Sequence, residues 1–227
     1  MCGIHASISA KGFLTPSHGL KQLLCNRGPD YVGEAGAEIH EHGAPYYLSF
    51  TSTVLSLRGG DVTPQPFVDT KSGSILCWNG EAWKIGSESI TGNDGQVVFD
   101  TLLEAIATND VASESAIAIL NVLNSISGPF AFVFLERTHE HIFFGRDRLG
   151  RRSLLYSANS NAVEFSSTAD PLRGIWKEVE ADGIYVLSLN HGALATREQN
   201  AEDDIRSLSI LPLQKYGWDF GTSPSVC

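Results

Sequence analysis

The sequence predicts an α+β fold built on antiparallel sheet, and three observations carry that prediction. Short β-rich runs come in pairs separated by turn residues, as hairpins do: 130–135 with 141–145, 154–158 with 162–166, and 183–190 with 193–196. The two strongest helical patterns are adjacent, at 97–106 and 115–126. Helices grouped among hairpins do not alternate with strands as a parallel βαβ sheet requires, and two sheets with helices outside would use these parts.

Taken in order, residues 2–10 form a short β-compatible run that puts Cys2 at the head of a strand. Thr15-Pro16-Ser17 starts a helix, with Thr15 as N-cap, Pro16 at the first helical position and Leu20, Leu23 and Leu24 as its apolar face. Arg27-Gly28-Pro29-Asp30 stops it. A short strand over 39–42 and a longer β-rich run over 46–57 follow, then a loop by composition through Arg58-Gly59-Gly60-Asp61 and Thr63-Pro64-Gln65-Pro66. A strand over 74–78 delivers Asn79-Gly80-Glu81 at its end, and Asp94 caps the first of the adjacent helices. Beyond residue 196 the chain is polar and loses periodicity, so 2–195 reads as the domain and 196–227 as an extension or linker.

Composition narrows the function classes. The 227 residues, 42% of them hydrophobic, suffice for one large domain with a sizeable core. A formal charge of −10 without a basic block argues against nucleic acid or an anionic membrane as partner. No apolar run approaches a membrane span and no signal pattern opens the chain, so a cytoplasmic or nuclear setting is expected. The four cysteines are far apart with no C-x-x-C, which disfavours a zinc site or a disulfide framework. His40-x-His42 and His139-x-His141 each place two imidazoles on one strand face, but no third ligand is evident, and no metal is expected. Gly59-Gly60 is not a phosphate loop, because no Gly-Lys-Ser/Thr follows.

The chemistry concentrates at the start. Removal of Met1 would leave Cys2 carrying a thiol and a free α-amino group on one residue, a nucleophile and a base together. An α-amino group titrates near ~8, close to working pH.

Met1-Cys2-Gly3-Ile4, Arg27-Gly28-Pro29-Asp30, Gln65-Pro66, Asn79-Gly80-Glu81, Asn93-Asp94, Gly128-Pro129-Phe130-Ala131-Phe132, Arg146-Asp147-Arg148-Leu149-Gly150 and Phe165-Ser166-Ser167 stand in one order. In that order the chain resembles class II glutamine amidotransferase domains, and is most similar to asparagine synthetases. Leu55-Ser56-Leu57-Arg58-Gly59 and Gly150-Arg151-Arg152-Ser153-Leu154-Leu155 are similar to the asparagine-synthetase-domain-containing proteins. The resemblance implies a four-layer αββα sandwich, the N-terminal-nucleophile hydrolase fold. It also implies release of ammonia from the glutamine side chain through a Cys2 thioester, with Asn79 and Gly80 stabilising the oxyanion. Asp94 would bind the glutamine α-amino group, and Leu55, Leu57 and Glu81 would complete the substrate site. Asp147 and Arg148 would form an ion-paired turn behind it. The family's synthetase domain, expected in cis in a longer chain, carries a Ser-Gly-Gly-rich pyrophosphate loop that these residues lack, so ATP and Mg belong to that domain and no cofactor is expected in this one.

One departure matters. Asparagine synthetases place an Arg directly before the Leu-Ser matching Leu55-Ser56, where it grips the glutamine α-carboxylate; here that position is Val54. Arg58 would stand about 13 Å farther along an extended strand and would reach the same contact only through a bulge or a rerouted loop. The expected activity is therefore glutamine hydrolysis, with a scaffold that has lost its grip on substrate as the alternative.

Overall fold

The structure is a computed structural model, and it describes residues 1–41, 44–56, 61–109, 111–159, 161–170, 172, 174–189, 213–218 and 225–226. A six-stranded antiparallel sheet runs in the order β13 (Lys177–Glu178), β11 (Leu155–Ala158), β12 (Ala162–Ser166), β1 (Gly3–Ser9), β3 (Ala44–Val54), β2 (Tyr31–Glu41). A seven-stranded sheet runs β16 (Ser225–Val226), β15 (Leu213–Gly217), β14 (Gly183–Ser188), β10 (His141–Arg146), β9 (Phe130–Glu136), β5 (Ile75–Gly80), β4 (Phe67–Val68). A small third sheet joins β7 (Glu88–Ser89), β6 (Lys84–Ile85) and β8 (Ile126–Ser127).

The period-two alternation of the strands explains why the two large sheets face each other. In β1, Ile4, Ala6 and Ile8 point into the space between the sheets with Leu48 and Phe50 of β3, while His5, Ser7 and Ser9 point away. β9 is apolar on both faces. Its Ala131, Val133 and Leu135 meet the other sheet, and its Phe130, Phe132 and Phe134 meet the helices α2 (Asp94–Ala107) and α3 (Ala112–Ser125). Phe67 stacks on Phe99 of α2 at 5.8 Å, and Trp78 stacks on Phe130 at 5.2 Å. The helix α1 (His18–Arg27) covers the opposite outer face through Leu20 and Leu24, which completes the four layers expected.

Several boundaries differ from the expectation, each for a local reason. The N-cap of α1 is Ser17, whose hydroxyl accepts from Leu20 N at 3.1 Å, so the helix begins at His18 and not at Pro16. α2 is capped by Asn93, whose Oδ1 accepts from Gln96 N at 3.0 Å; Asp94 is the first helical residue instead of the cap. The strand expected over 39–42 is the end of an eleven-residue strand, β2, which pairs along the whole of β3. Strand β5 runs on through Asn79 and Gly80, which therefore lie within the sheet and pair with Ala131 and Phe130. The partner of β14 is β15, in the segment whose polarity suggested a linker; the pairing expected over 193–196 lies outside the described residues.

Candidate active site

The head of β1 is fixed from three sides. Gly3 N donates to Thr53 Oγ1 at 3.1 Å, and that hydroxyl donates in turn to the Leu24 carbonyl of α1 at 2.6 Å. Ile4 N donates to Ser167 Oγ at 2.8 Å, and Ser167 N donates to the Ile4 carbonyl at 2.9 Å. A Cβ on Gly3 would stand 2.4 Å from Thr53 Oγ1, so only glycine lets the helix, β3 and β1 meet this closely. Cys2, the residue before, thus projects from a rigid support. Arg27 Nε donates to its carbonyl at 3.3 Å, and its Sγ lies 3.9 Å from the Leu55 carbonyl.

The alternation of β5 brings the next group in. Ile75 and Cys77 face the space between the sheets, where Cys77 Sγ accepts from the Ser52 hydroxyl at 3.3 Å. Asn79 is two residues on and shares that face, at the end where β1 and β3 also terminate. It is 1% exposed, and neither Oδ1 nor Nδ2 has a hydrogen-bond partner among the described residues. A buried group left without its hydrogen bond costs about 1–3 kcal/mol.

A cavity of about 50 Å³ lies at this convergence, lined by Met1, Cys2, Val54, Leu55, Asn79, Gly80, Glu81, Asp94 and Arg152 among others. The site residues expected from the sequence are thereby brought together, save Leu57 and Arg58, which lie outside the described residues. Asp94 Oδ2 accepts from Trp78 Nε1 at 2.9 Å and from Ala82 N at 2.8 Å, while Oδ1 accepts nothing among the described residues. The carboxylate is held by one oxygen and offers the other. Glu81 N donates to the Pro129 carbonyl at 2.8 Å, and a Cβ on Gly128 would meet the Glu81 carbonyl at 2.2 Å. The Gly-Pro pair is thus what allows the 79–81 segment to sit against the start of β9. Asp30 straps the far wall: its N donates to the Val54 carbonyl at 3.0 Å, and its Oδ2 accepts from Ser56 N at 2.8 Å.

Asp147 is buried and accepts from Phe130 N at 3.1 Å, but its ion-pair partner is Arg151 and not the adjacent Arg148. Arg151 Nε reaches Asp147 Oδ1 at 2.9 Å, whereas Arg148 donates to Asn124 Oδ1 and the Trp218 carbonyl. Val54 is buried in the cavity wall. Arg152 was not expected in the site. No local signal distinguishes it from Arg151, its neighbour in an Arg-Arg pair.

Burial pushes the Cys2 thiol above its ordinary pKa, and the Asp94 charge adds to that, so the thiol is protonated at neutral pH. The amino group of Met1 moves the other way, lowered by burial and then, against the opposing pull of Cys2, by the charges of Arg27 and Arg152. Among the described residues no group of three or more His, Cys, Asp or Glu side chains is placed to hold a metal. His139 and His141 flank the buried Glu136 instead, with Nδ1 atoms 3.4 and 3.7 Å from its Oε2. An open groove of about 610 Å³, lined by Asp69, Leu103, Ile106 and His139 among others, is larger than the Cys2 cavity but contains none of the expected site residues. Among the described residues no helix is long and apolar enough to cross a membrane.

A cysteine at position 2, a buried amide without a partner among the described residues and a half-used carboxylate around one cavity, at the end of two facing antiparallel sheets, fit a glutamine amidotransferase domain. The chain belongs to that family, whose model, described as "Glutamine amidotransferase domain", matches residues 1–210. The mouse (Mus musculus) protein named asparagine synthetase domain-containing protein 1 is 31% identical over 207 residues, covering 86% of this chain and 30% of the mouse protein. The human (Homo sapiens) protein of the same name is 30% identical over 233 residues, covering 92% of this chain and 34% of its own length. The chain thus spans about a third of the length of these relatives. Among solved structures, the glutamine phosphoribosylpyrophosphate amidotransferase of B. subtilis, complexed with ADP and GMP, aligns over 99% of this chain and 51% of that one. At a TM-score of 0.59 and 15% identity, it shows the shared αββα N-terminal-nucleophile fold.

Proposed function

We propose that this domain hydrolyses the glutamine side-chain amide to glutamate and ammonia, as the glutaminase part of an asparagine-synthetase-like protein. The observation that carries the reading is Asn79, buried with neither amide atom partnered among the described residues, on the cavity that Cys2 also lines. With Met1 removed, the α-amino group of Cys2 takes the thiol proton as Sγ bonds to the carboxamide carbon. The carbonyl oxygen becomes an oxyanion facing Asn79 Nδ2 and the Gly80 N–H. The C–N bond then breaks as the amine returns the proton to the leaving nitrogen, and water cleaves the thioester. A donor aimed at the oxyanion is worth about 10²–10³ in rate. The free oxygen of Asp94 takes the substrate α-ammonium. ATP and Mg act elsewhere, in a synthetase domain expected in cis, which takes up the ammonia.

Val54 favours a second reading: a pseudo-enzyme that keeps the fold as a docking scaffold. Intact mass before and after a glutamine-analogue electrophile, ammonia release and a Cys2→Ala control separate the two. The enzyme shows loss of Met1, one adduct and ammonia, all but the first abolished in Cys2→Ala; a protein with Met1 retained, or with neither adduct nor ammonia, is the scaffold.

A further inference from the structure

Two neighbouring arginines leave the same loop with opposite fates. Arg151 is engaged twice, by the Asp147 carboxylate at 2.9 Å and by the face of Trp83, 5.7 Å from its ring centroid. Arg152 forms no ion pair, and its guanidinium no hydrogen bond, among the described residues, yet it is half-buried and lines the Cys2 cavity. Its backbone is firmly held. Arg146 donates from Nε to the Arg152 carbonyl at 2.7 Å, and Asp147 Oδ2 accepts from Arg151 N at 3.0 Å. The charge of Arg152 also falls on a second guanidinium without a carboxylate partner among the described residues, that of Arg27. Two such cations at one cavity repel each other, and a bound anion removes that cost. The carboxylate already in the wall, Asp94, has one oxygen committed to Trp78 and Ala82 and pairs with neither arginine.

We propose that Arg152 binds the α-carboxylate of the amino-acid substrate, the contact that Val54 cannot make. This rests on the glutamine reading of the same site. A planar guanidinium presents parallel N–H donors that match a carboxylate in a fork, and a rigid loop lowers the cost of holding it there. Val54 closes the wall where the family's own arginine stands, so the carboxylate is gripped from the 146–152 loop and not from the end of β3.

The test measures binding and not turnover, so that it stands apart from the hydrolysis reading. Using the Cys2→Ala protein, the Kd for L-glutamine is compared with that for L-glutaminamide, which keeps the α-amine and side chain and replaces the carboxylate. The expected preference for glutamine is roughly tenfold to a hundredfold, the worth of a charged hydrogen-bonded pair. Arg152→Gln should abolish most of it by weakening glutamine alone, and Arg152→Lys should retain part. Since the Arg152 side chain has no hydrogen-bond partner among the described residues, both variants should fold, with thermal melts as the control. A preference that survives Arg152→Gln, one lost instead in Arg58→Gln, or no preference at all in the parent overturns the proposal. If an Arg152-dependent preference exists while the unsubstituted protein releases no ammonia, the carboxylate assignment stands and the glutaminase reading falls.

Discussion

Replacing Asn79 with leucine separates an active-site amide from a structural one, because the two roles predict opposite changes in stability. A structural asparagine at 1% exposure is held by partners, and losing it lowers stability; Asn79 has none for either amide atom among the described residues. Leucine keeps the branched shape while removing a donor and an acceptor whose isolation costs about 1–3 kcal/mol. For a domain of this size each kcal/mol moves Tm by about 2–4 °C, so Asn79→Leu should raise Tm by roughly 2–12 °C. The same change removes an oxyanion donor and should slow glutamine hydrolysis about 10²–10³-fold. Thermal melts and ammonia release on one preparation read both effects. A lower Tm with an intact rate would show that Asn79 is a structural residue and refute the oxyanion assignment.

Asp94→Asn keeps an oxygen for Trp78 Nε1 and Ala82 N but loses the charge that faces the α-ammonium. It should leave Tm within a few degrees and raise the glutamine KM roughly tenfold or more, checked by steady-state kinetics. In the protein that retains Met1, titration of its amino group should show an inflection below the ordinary amine value of 8.0, since burial and then Arg27 and Arg152 lower it against the opposing Cys2. Arg27→Gln should move that inflection upward. Burial alone would raise the Glu136 pKa, but donation from His141 and the His139 backbone leaves it lowered from 4.5. A lowered folded pKa gives stability that is present above the unfolded value and lost as pH falls through the folded one. Urea melts should therefore weaken below about pH 4.5, and Glu136→Gln should flatten that acid limb.

The architecture was legible where the hydrophobic pattern is strong. The hairpin of β9 and β10 and the paired helices follow from runs such as Phe130-Ala131-Phe132-Val133-Phe134, which no partly solvated strand would carry. β2 was mostly missed because Gly33, Ala35, Gly36 and Ala37 have poor strand propensity, and pairing with β3 overrides it. At Asn93-Asp94 both residues are good caps, and the sequence cannot say which one turns outward. Asn93 takes the helix, which frees Asp94 to reach Trp78 and Ala82. Asn79-Gly80 reads locally as a turn; only the continuation of β5 beside β9 sets its amide on the Cys2 face. Arg152 had no signal, because its importance lies in the partner it lacks, while the identical residue before it is bound to Asp147.

Val54 looked like a lesion when it was compared with the family residue by residue, and the arrangement around it argues otherwise. The backbone there is kept in place: Asp30 grips both the Val54 carbonyl and Ser56 N, so the wall has its shape without its charge. An arginine at 54 would bring a third guanidinium toward Arg27 and Arg152, around a cavity of only about 50 Å³. Arg27 is already pushed below its ordinary pKa by burial and then by Arg152, so a further cation would add repulsion to a site with one carboxylate to receive. On the proposal that the loop after β10 supplies the cation, an apolar residue at 54 is compatible with the site. A scaffold would also have no reason to keep Asn79 without a partner among the described residues, at a cost of about 1–3 kcal/mol, beside a cysteine whose strand is fixed by Thr53 and Ser167. The departure at Val54 and the isolation of Asn79 therefore point the same way, toward a site that still binds its substrate and grips it from a different strand end.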